Sequence, residues 1–203
     1  MSNLASKLST EDAAWAAVNT PLSVDELKTF CLDIERLFRI NPMLEFKRFK
    51  SLGENRYAMN GRNISQDGSF DFDVSFRVSE LDDGLRIDYD NGIKSSTVVS
   101  VEAALTGSKL TITDYYEGLP VKDREKHLDQ VDRSLIRWAE YLQQFLVSWR
   151  RWSGWSLWRW YMRRVWQPMK PMGRRITYIL LWVSAAEIAL IALGVGIWFA
   201  EYR

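Results

Sequence analysis

The chain has 203 residues and 27 Lys/Arg against 26 Asp/Glu, a formal charge of +1. Its one cysteine excludes an intrachain disulfide, and one cysteine with one histidine excludes the common structural zinc set. Five of its ten tryptophans fall within residues 150–175, a stretch without an acidic residue.

Residues 1–11 form a polar lead without the basic and apolar regions of a secretory signal. The segment AAWAAVNTPLS, 13–23, reads as a first strand. Ser23 and Glu26 have the spacing of a capping box, in which the Ser side chain accepts from a free helix amide and the Glu reaches back. The helix it opens carries Leu27, Phe30, Cys31 and Ile34, with Cys31 as a packed thiol. A short helical turn, ERLFRI, follows, and Asn41-Pro42 stops it.

The hydrophobic period then changes to two. MLEFKRF (43–49) and RYAMNGRNI (56–64) flank a turn at Gly53-Glu54-Asn55. FDFDVSFRV (70–78) alternates most clearly: Phe70, Phe72, Val74, Phe76 and Val78 share one face, and Asp71, Asp73, Ser75 and Arg77 the other. Asp82-Asp83-Gly84 and Thr106-Gly107-Ser108 mark hairpins, with LRIDYD, STVVSVEAAL and KLTITDYY as the remaining strands. Tyr57, Asp114 and Tyr116 have two readings: strand residues facing water or an edge, or polar groups inside a cavity under the long helix that follows. From about Asp123 a long helix begins. His127 opens it as a solvated imidazole, and Leu128, Val131, Leu135, Trp138, Leu142, Phe145 and Trp149 form one stripe at spacings of three and four. That stripe belongs across the apolar face of the sheet.

A strand, two short helices, about six antiparallel strands and a long amphipathic helix, with INPML between the helices and the second strand, resemble the START-like (SRPBCC) superfamily. This group includes polyketide cyclase/dehydrase and lipid-transfer relatives. The resemblance covers 12–149 and implies an α+β helix-grip domain whose sheet wraps on its C-terminal helix. It also implies a cavity for a lipid or quinone. Phe70, Phe72, Val74 and Phe76 on the strand, and Leu128, Leu135, Trp138 and Leu142 on the helix, are its candidate lining.

Residues 150–175 are basic and rich in Trp and Arg. On a helical wheel Trp155, Trp158, Tyr161, Met162, Val165 and Trp166 fall on one side; Ser156, Arg159, Arg163 and Arg164 fall on the other. The expectation is an amphipathic helix in the membrane interface, with Trp155, Trp158 and Trp166 at the acyl boundary and Arg159, Arg163 and Arg164 toward anionic headgroups. Residues 176–200 hold one ionisable group, Glu187. As a helix they extend about 37 Å, enough for a ~30 Å hydrocarbon core with some tilt. Three residues, 201–203, remain as a tail.

Charge divides along the same boundaries. Residues 1–148 carry 18 Lys/Arg and 24 Asp/Glu, residues 149–175 eight Lys/Arg and no acid, and residues 176–203 one Arg and two Glu. A basic collar before an apolar span indicates an anionic membrane surface rather than nucleic acid as partner. It also indicates a single-pass protein with its N-terminal domain cytoplasmic and its C-terminus outside. Within the span, Glu187 lies opposite a ridge of Ala185, Ala189, Ala192 and Gly196, and both faces are candidate contacts for other membrane helices.

Two functions fit. One is a membrane-anchored domain that binds a hydrophobic ligand; the other is a non-catalytic accessory or assembly subunit of a larger membrane complex. No convergent acid and base, metal set or cofactor motif stands out, so enzymatic activity is not expected.

Overall fold

The computed structural model describes residues 13–65, 69–116 and 121–202, with side chains in the last segment described from Ser134 onward. Seven strands build one antiparallel sheet: β1 (Ala13–Thr20), β2 (Leu44–Gly53), β3 (Arg56–Asn63), β4 (Phe70–Leu81), β5 (Gly84–Tyr89), β6 (Ser96–Ala103) and β7 (Ser108–Tyr115). Their order across the sheet is β1-β7-β6-β5-β4-β3-β2. The five hairpins from β2 to β7 need only short turns, as sequential antiparallel strands do. β1 crosses to pair with β7, Ala13 opposite Tyr115 and Thr20 opposite Ser108.

The turns are set locally. Gly53, Glu54 and Asn55 all have positive φ, so the β2–β3 connection uses the left-handed region that Gly and Asn tolerate best. Gly84 answers a different demand: a Cβ there would lie 1.9 Å from the carbonyl oxygen of Val99 on the neighbouring strand.

Helices α1 (Val24–Cys31) and α2 (Ile34–Arg39) lie between β1 and β2. The Ser23 capping box is formed in both directions, through Glu26 N–H to Ser23 Oγ and Ser23 N–H to Glu26 Oε2. The long helix α3 (Val121–Trp152) covers the sheet. Leu135, Trp138, Ala139, Leu142, Phe145 and Leu146 on α3 meet Phe76, Val78, Leu85, Ile87, Val99, Leu110 and Ile112 from the strands in one buried core. The Trp138 indole donates to the Leu37 carbonyl at 3.1 Å, so α2 is fixed to α3 inside that core. Leu128, Val131 and His127 lie outside the residues whose side chains are described, as does the 1–11 lead. This is an α+β helix-grip fold.

After α3 come a short helix α4 (Ser156–Tyr161), a π-helical turn (Met162–Trp166) and α5 (Pro171–Glu201). α5 is long and apolar enough to cross a membrane, and none of its most apolar window is buried.

Candidate functional site

A cavity of about 350 Å³ opens between α2, the β2–β5 part of the sheet and α3. Its apolar wall is carried by Phe38, Met59, Phe70, Phe72, Val74 and Trp138. Four of the eight sequence candidates therefore line it: Phe70, Phe72, Val74 and Trp138. Phe76, Leu135 and Leu142 instead fill the core beneath, at 0%, 2% and 0% exposure. The reason is the period-two face itself, which runs continuously from cavity into core: Phe76 is fully enclosed by Phe38, Phe49, Tyr57 and Tyr89, with ring centroids 5.4–6.3 Å away. Leu128 lies outside the described side chains.

The cavity lining includes a polar group, and of the two sequence readings of Asp114 the water-facing one is excluded, since it is 1% exposed. It accepts a hydrogen bond from the Lys94 ammonium on Oδ2, one from Thr97 Oγ1 at 2.5 Å on Oδ1, and a long one from the Tyr116 hydroxyl at 3.4 Å. The Tyr89 hydroxyl lies 3.1 Å from Thr97 Oγ1. Since the Thr97 proton is given to Asp114, Tyr89 is the donor in that contact. Burial, with the Asp114 charge behind it, pushes the Tyr89 phenol above its ordinary range and keeps it protonated. Lys94, Tyr89 and Tyr116 line the cavity, while Asp114 and Thr97, paired across β6 and β7, support them from behind. Tyr57 is half-buried and stacks on Phe76 instead. The β7 register holds the deciding signal: Asp114 follows Ser108, Leu110 and Ile112 at steps of two on the inward face.

At the rim, Asp71 accepts from Lys47 at 2.9 Å and Arg62 at 3.0 Å, and these bonds hold its carboxyl below the usual range. Asp73 accepts from the Asn60 amide at 3.2 Å. Among the described residues no cluster of His, Cys, Asp and Glu is arranged to hold a metal ion.

The collar corrects the wheel reading. Its apolar side is packed against the domain, because Phe145 and Trp149 at the end of α3 offer it an aromatic surface. The Trp158 ring lies 5.5 Å from Trp149, the Trp166 ring 5.5 Å from Phe145, and Met162 is buried. Trp158 and Trp166 are thus turned toward protein. Trp155 is 67% exposed, and with Trp152, Leu157 and Trp160 it forms a different, outward face. Arg159, Arg163 and Arg164 are exposed, Arg159 donating to the Ser153 carbonyl and Arg163 lying 5.9 Å over the Trp149 ring. The π-helical turn at Met162–Trp166 shifts the phase of the helix just where the wheel assumes a regular one.

Trp149 is also where Arg36 of α2 rests, its guanidinium 3.8 Å from the ring centroid and 5.0 Å from those of Phe30 and Phe145. Arg36 is 6% exposed, and its Nε and Nη2 have no hydrogen-bond partner among the described residues. Burial lowers its pKa to about 10, with Asp33 opposing and Arg163 adding to the effect, so it is charged at neutral pH. At the joint to α5, Arg174 donates to the carbonyls of Trp166 and Gln167. On α5, Glu187 and the ridge of Ala185, Ala189, Ala192 and Gly196 are all exposed, as is every residue from Tyr178 to Tyr202.

No protein-family model and no curated protein sequence matches the chain. Solved structures do match. TTHA0849 from Thermus thermophilus aligns with a TM-score of 0.53 at 12% identity, covering 67% of this chain and 97% of that one. The di-domain ARO/CYC StfQ from the steffimycin biosynthetic pathway gives 0.49 at 10%, over 70% of this chain and 53% of its own. A STAR-related lipid transfer protein from Xanthomonas axonopodis gives 0.46 at 10%, over 65% and 84%. At such identities the first likeness speaks to fold alone. Below a TM-score of 0.5 the other two carry no argument.

Proposed function

We propose that this chain is a membrane-anchored binder of a small hydrophobic molecule. The observation that carries this reading is the cavity of about 350 Å³, with aromatic side chains in its wall and Lys94 and Tyr116 in its lining. Small-molecule pockets typically run from ~300 to 1,000 Å³, so this one is at the lower end. A cavity at that end of the range suits one ring system or one short chain better than a two-chain lipid. Of the lipid and quinone classes, the volume favours the head of a quinone or a single short acyl chain.

The anchor is α5, and the collar rests at the headgroup level. Trp152, Trp155, Leu157 and Trp160 are the residues for the acyl boundary, with Arg151, Arg159 and Arg164 beside them for anionic headgroups. The basic excess before α5 favours a cytoplasmic domain and an outer C-terminus.

The test is native mass spectrometry of the full chain purified in mild detergent, beside a Val74→Phe variant that fills the cavity. Wild type should carry a small hydrophobic molecule that the variant has lost. Equal loading of both would place the molecule elsewhere, and an empty wild type that takes up no hydrophobic probe would end the reading. Reporters fused at Met1 and after Arg203 test orientation; the reverse sidedness would overturn it.

A further inference from the structure

We infer that Lys94, Tyr116 and Tyr89 form a polar subsite, backed by Asp114 and Thr97, that recognises a neutral oxygen substituent, a carbonyl or hydroxyl, on a flat ring ligand. This inference rests on the reading of the cavity as a ligand site and adds the chemistry of the ligand.

The argument begins with charge. Lys94 and Asp114 lie in one ion pair, with side-chain exposures of 34% and 1%, so the subsite is electroneutral as built. A carboxylate ligand brought to Lys94 would enter beside the buried Asp114 carboxylate. It would lose its hydration and meet like charge. A neutral oxygen meets neither cost. An ammonium has three donors, of which the Asp114 contact engages one, and it is oriented by that contact.

The second part is pre-organisation. Asp114 lies at the end of a chain in which Tyr89 donates to Thr97 and Thr97 to Asp114. Such a chain fixes the hydroxyl rotors and the carboxylate plane before a ligand arrives. Lys94 and Tyr116 are both held by Oδ2 of the same carboxylate, so their polar heads converge.

The third part is shape. Phe38, Phe70, Phe72, Tyr89, Tyr116 and Trp138 give six aromatic side chains to a volume of about 350 Å³. Rings packed among aromatic side chains gain from edge and offset contacts as well as from burial. An oxygen-bearing ring satisfies the aromatic wall and the polar subsite together; a plain acyl chain satisfies the wall alone.

The test uses the full chain in detergent with methyl-labelled methionine. Met43 and Met59 line the cavity, while Met162, Met169 and Met172 belong to the collar and the start of α5, so the two groups separate cavity binding from partition into the micelle. Naphthalene, 2-naphthol and 2-naphthoate are titrated at neutral pH. The Met43 and Met59 signals should saturate with 2-naphthol at a Kd about tenfold below that for naphthalene, the worth of one hydrogen bond to a charged group. The double variant Lys94→Met/Asp114→Asn removes both charges together and should close that gap, 2-naphthol and naphthalene then binding with the same Kd. Tyr116→Phe should narrow it severalfold, and carries the test should the double variant fail to fold. If 2-naphthol binds wild type no better than naphthalene, the subsite is overturned and the cavity reading stands. If 2-naphthoate binds most tightly, the site is an anion site and the inference is wrong. If none of the three moves Met43 or Met59, the cavity reading falls with it.

Discussion

Replacing Arg36 by Met should stabilise the protein. The guanidinium is buried among three rings, and two of its nitrogens lack a hydrogen-bond partner among the described residues. A buried donor left unsatisfied costs about 1–3 kcal/mol, so two of them cost roughly 2–6. Against this stands the cation–π attraction, which reaches about 2 kcal/mol for a desolvated pair, strongest here at the 3.8 Å contact with Trp149. Methionine has a similar reach and brings a sulfur–aromatic contact of its own, ~0.3–1.5 kcal/mol. The balance favours the variant by about 0.3–5.5 kcal/mol, each 1 kcal/mol of which raises Tm by ~2–4 °C for a domain of this size. The assay is a near-ultraviolet circular dichroism melt of the full chain in detergent, at a fixed scan rate, following the tryptophan signal. A fall in Tm would refute the reasoning. It would mean that Nε and Nη2 are satisfied in solution by water or a bound anion in the seam between domain and collar.

Gly84→Ala should destabilise by an amount in the upper part of the ~1–3 kcal/mol range for overpacking, read as a lower urea midpoint, because its Cβ would meet the Val99 backbone at 1.9 Å. Cys31 is buried and its thiol is pushed from 9.0 up to about 12. The folded state thus holds a proton that the unfolded state releases, and stability should decline between pH 9 and about 12 by a component that Cys31→Ala removes; unchanged slopes in the two proteins would contradict this. The same thiol should resist iodoacetamide at pH 8 until the protein is denatured. Glu187→Leu should improve insertion of α5, since a carboxylate at mid-bilayer costs ~2.5–3.5 kcal/mol, and leave cavity binding unchanged; loss of a larger complex on a native gel would favour the accessory-subunit reading instead.

The sheet was legible because its signals are local. The period of two in 70–78, the capping box at Ser23 and the turn residues at 53–55 each act within a few positions, and the structure forms them there. The split of the Phe70–Val78 face into cavity and core was not legible, since alternation assigns a side of the sheet and says nothing of what stands opposite. Phe72 meets a void and Phe76 meets Phe38. Asp114 was readable in principle from its step of two after Ile112, but its partner Lys94 comes from the loop between β5 and β6, where no period operates. The collar shows a similar limit: an apolar helix face requires cover, yet lipid and a neighbouring aromatic surface provide equivalent cover. Trp149 and Phe145 decide the matter for Trp158 and Trp166, and they do so through tertiary structure.

That packing has a mechanical consequence. With Trp158 and Trp166 stacked on α3, and Arg174 holding the carbonyls of Trp166 and Gln167, the segment between domain and α5 behaves as a bracket rather than a leash. A leash lets a domain sweep a hemisphere and reach for cargo; a bracket presents one aperture at one height and one azimuth. On the proposed reading, a molecule destined for the cavity would travel to that aperture, so its rate of capture would depend on its own diffusion and on the opening of the pocket, with little contribution from motion of the domain as a whole.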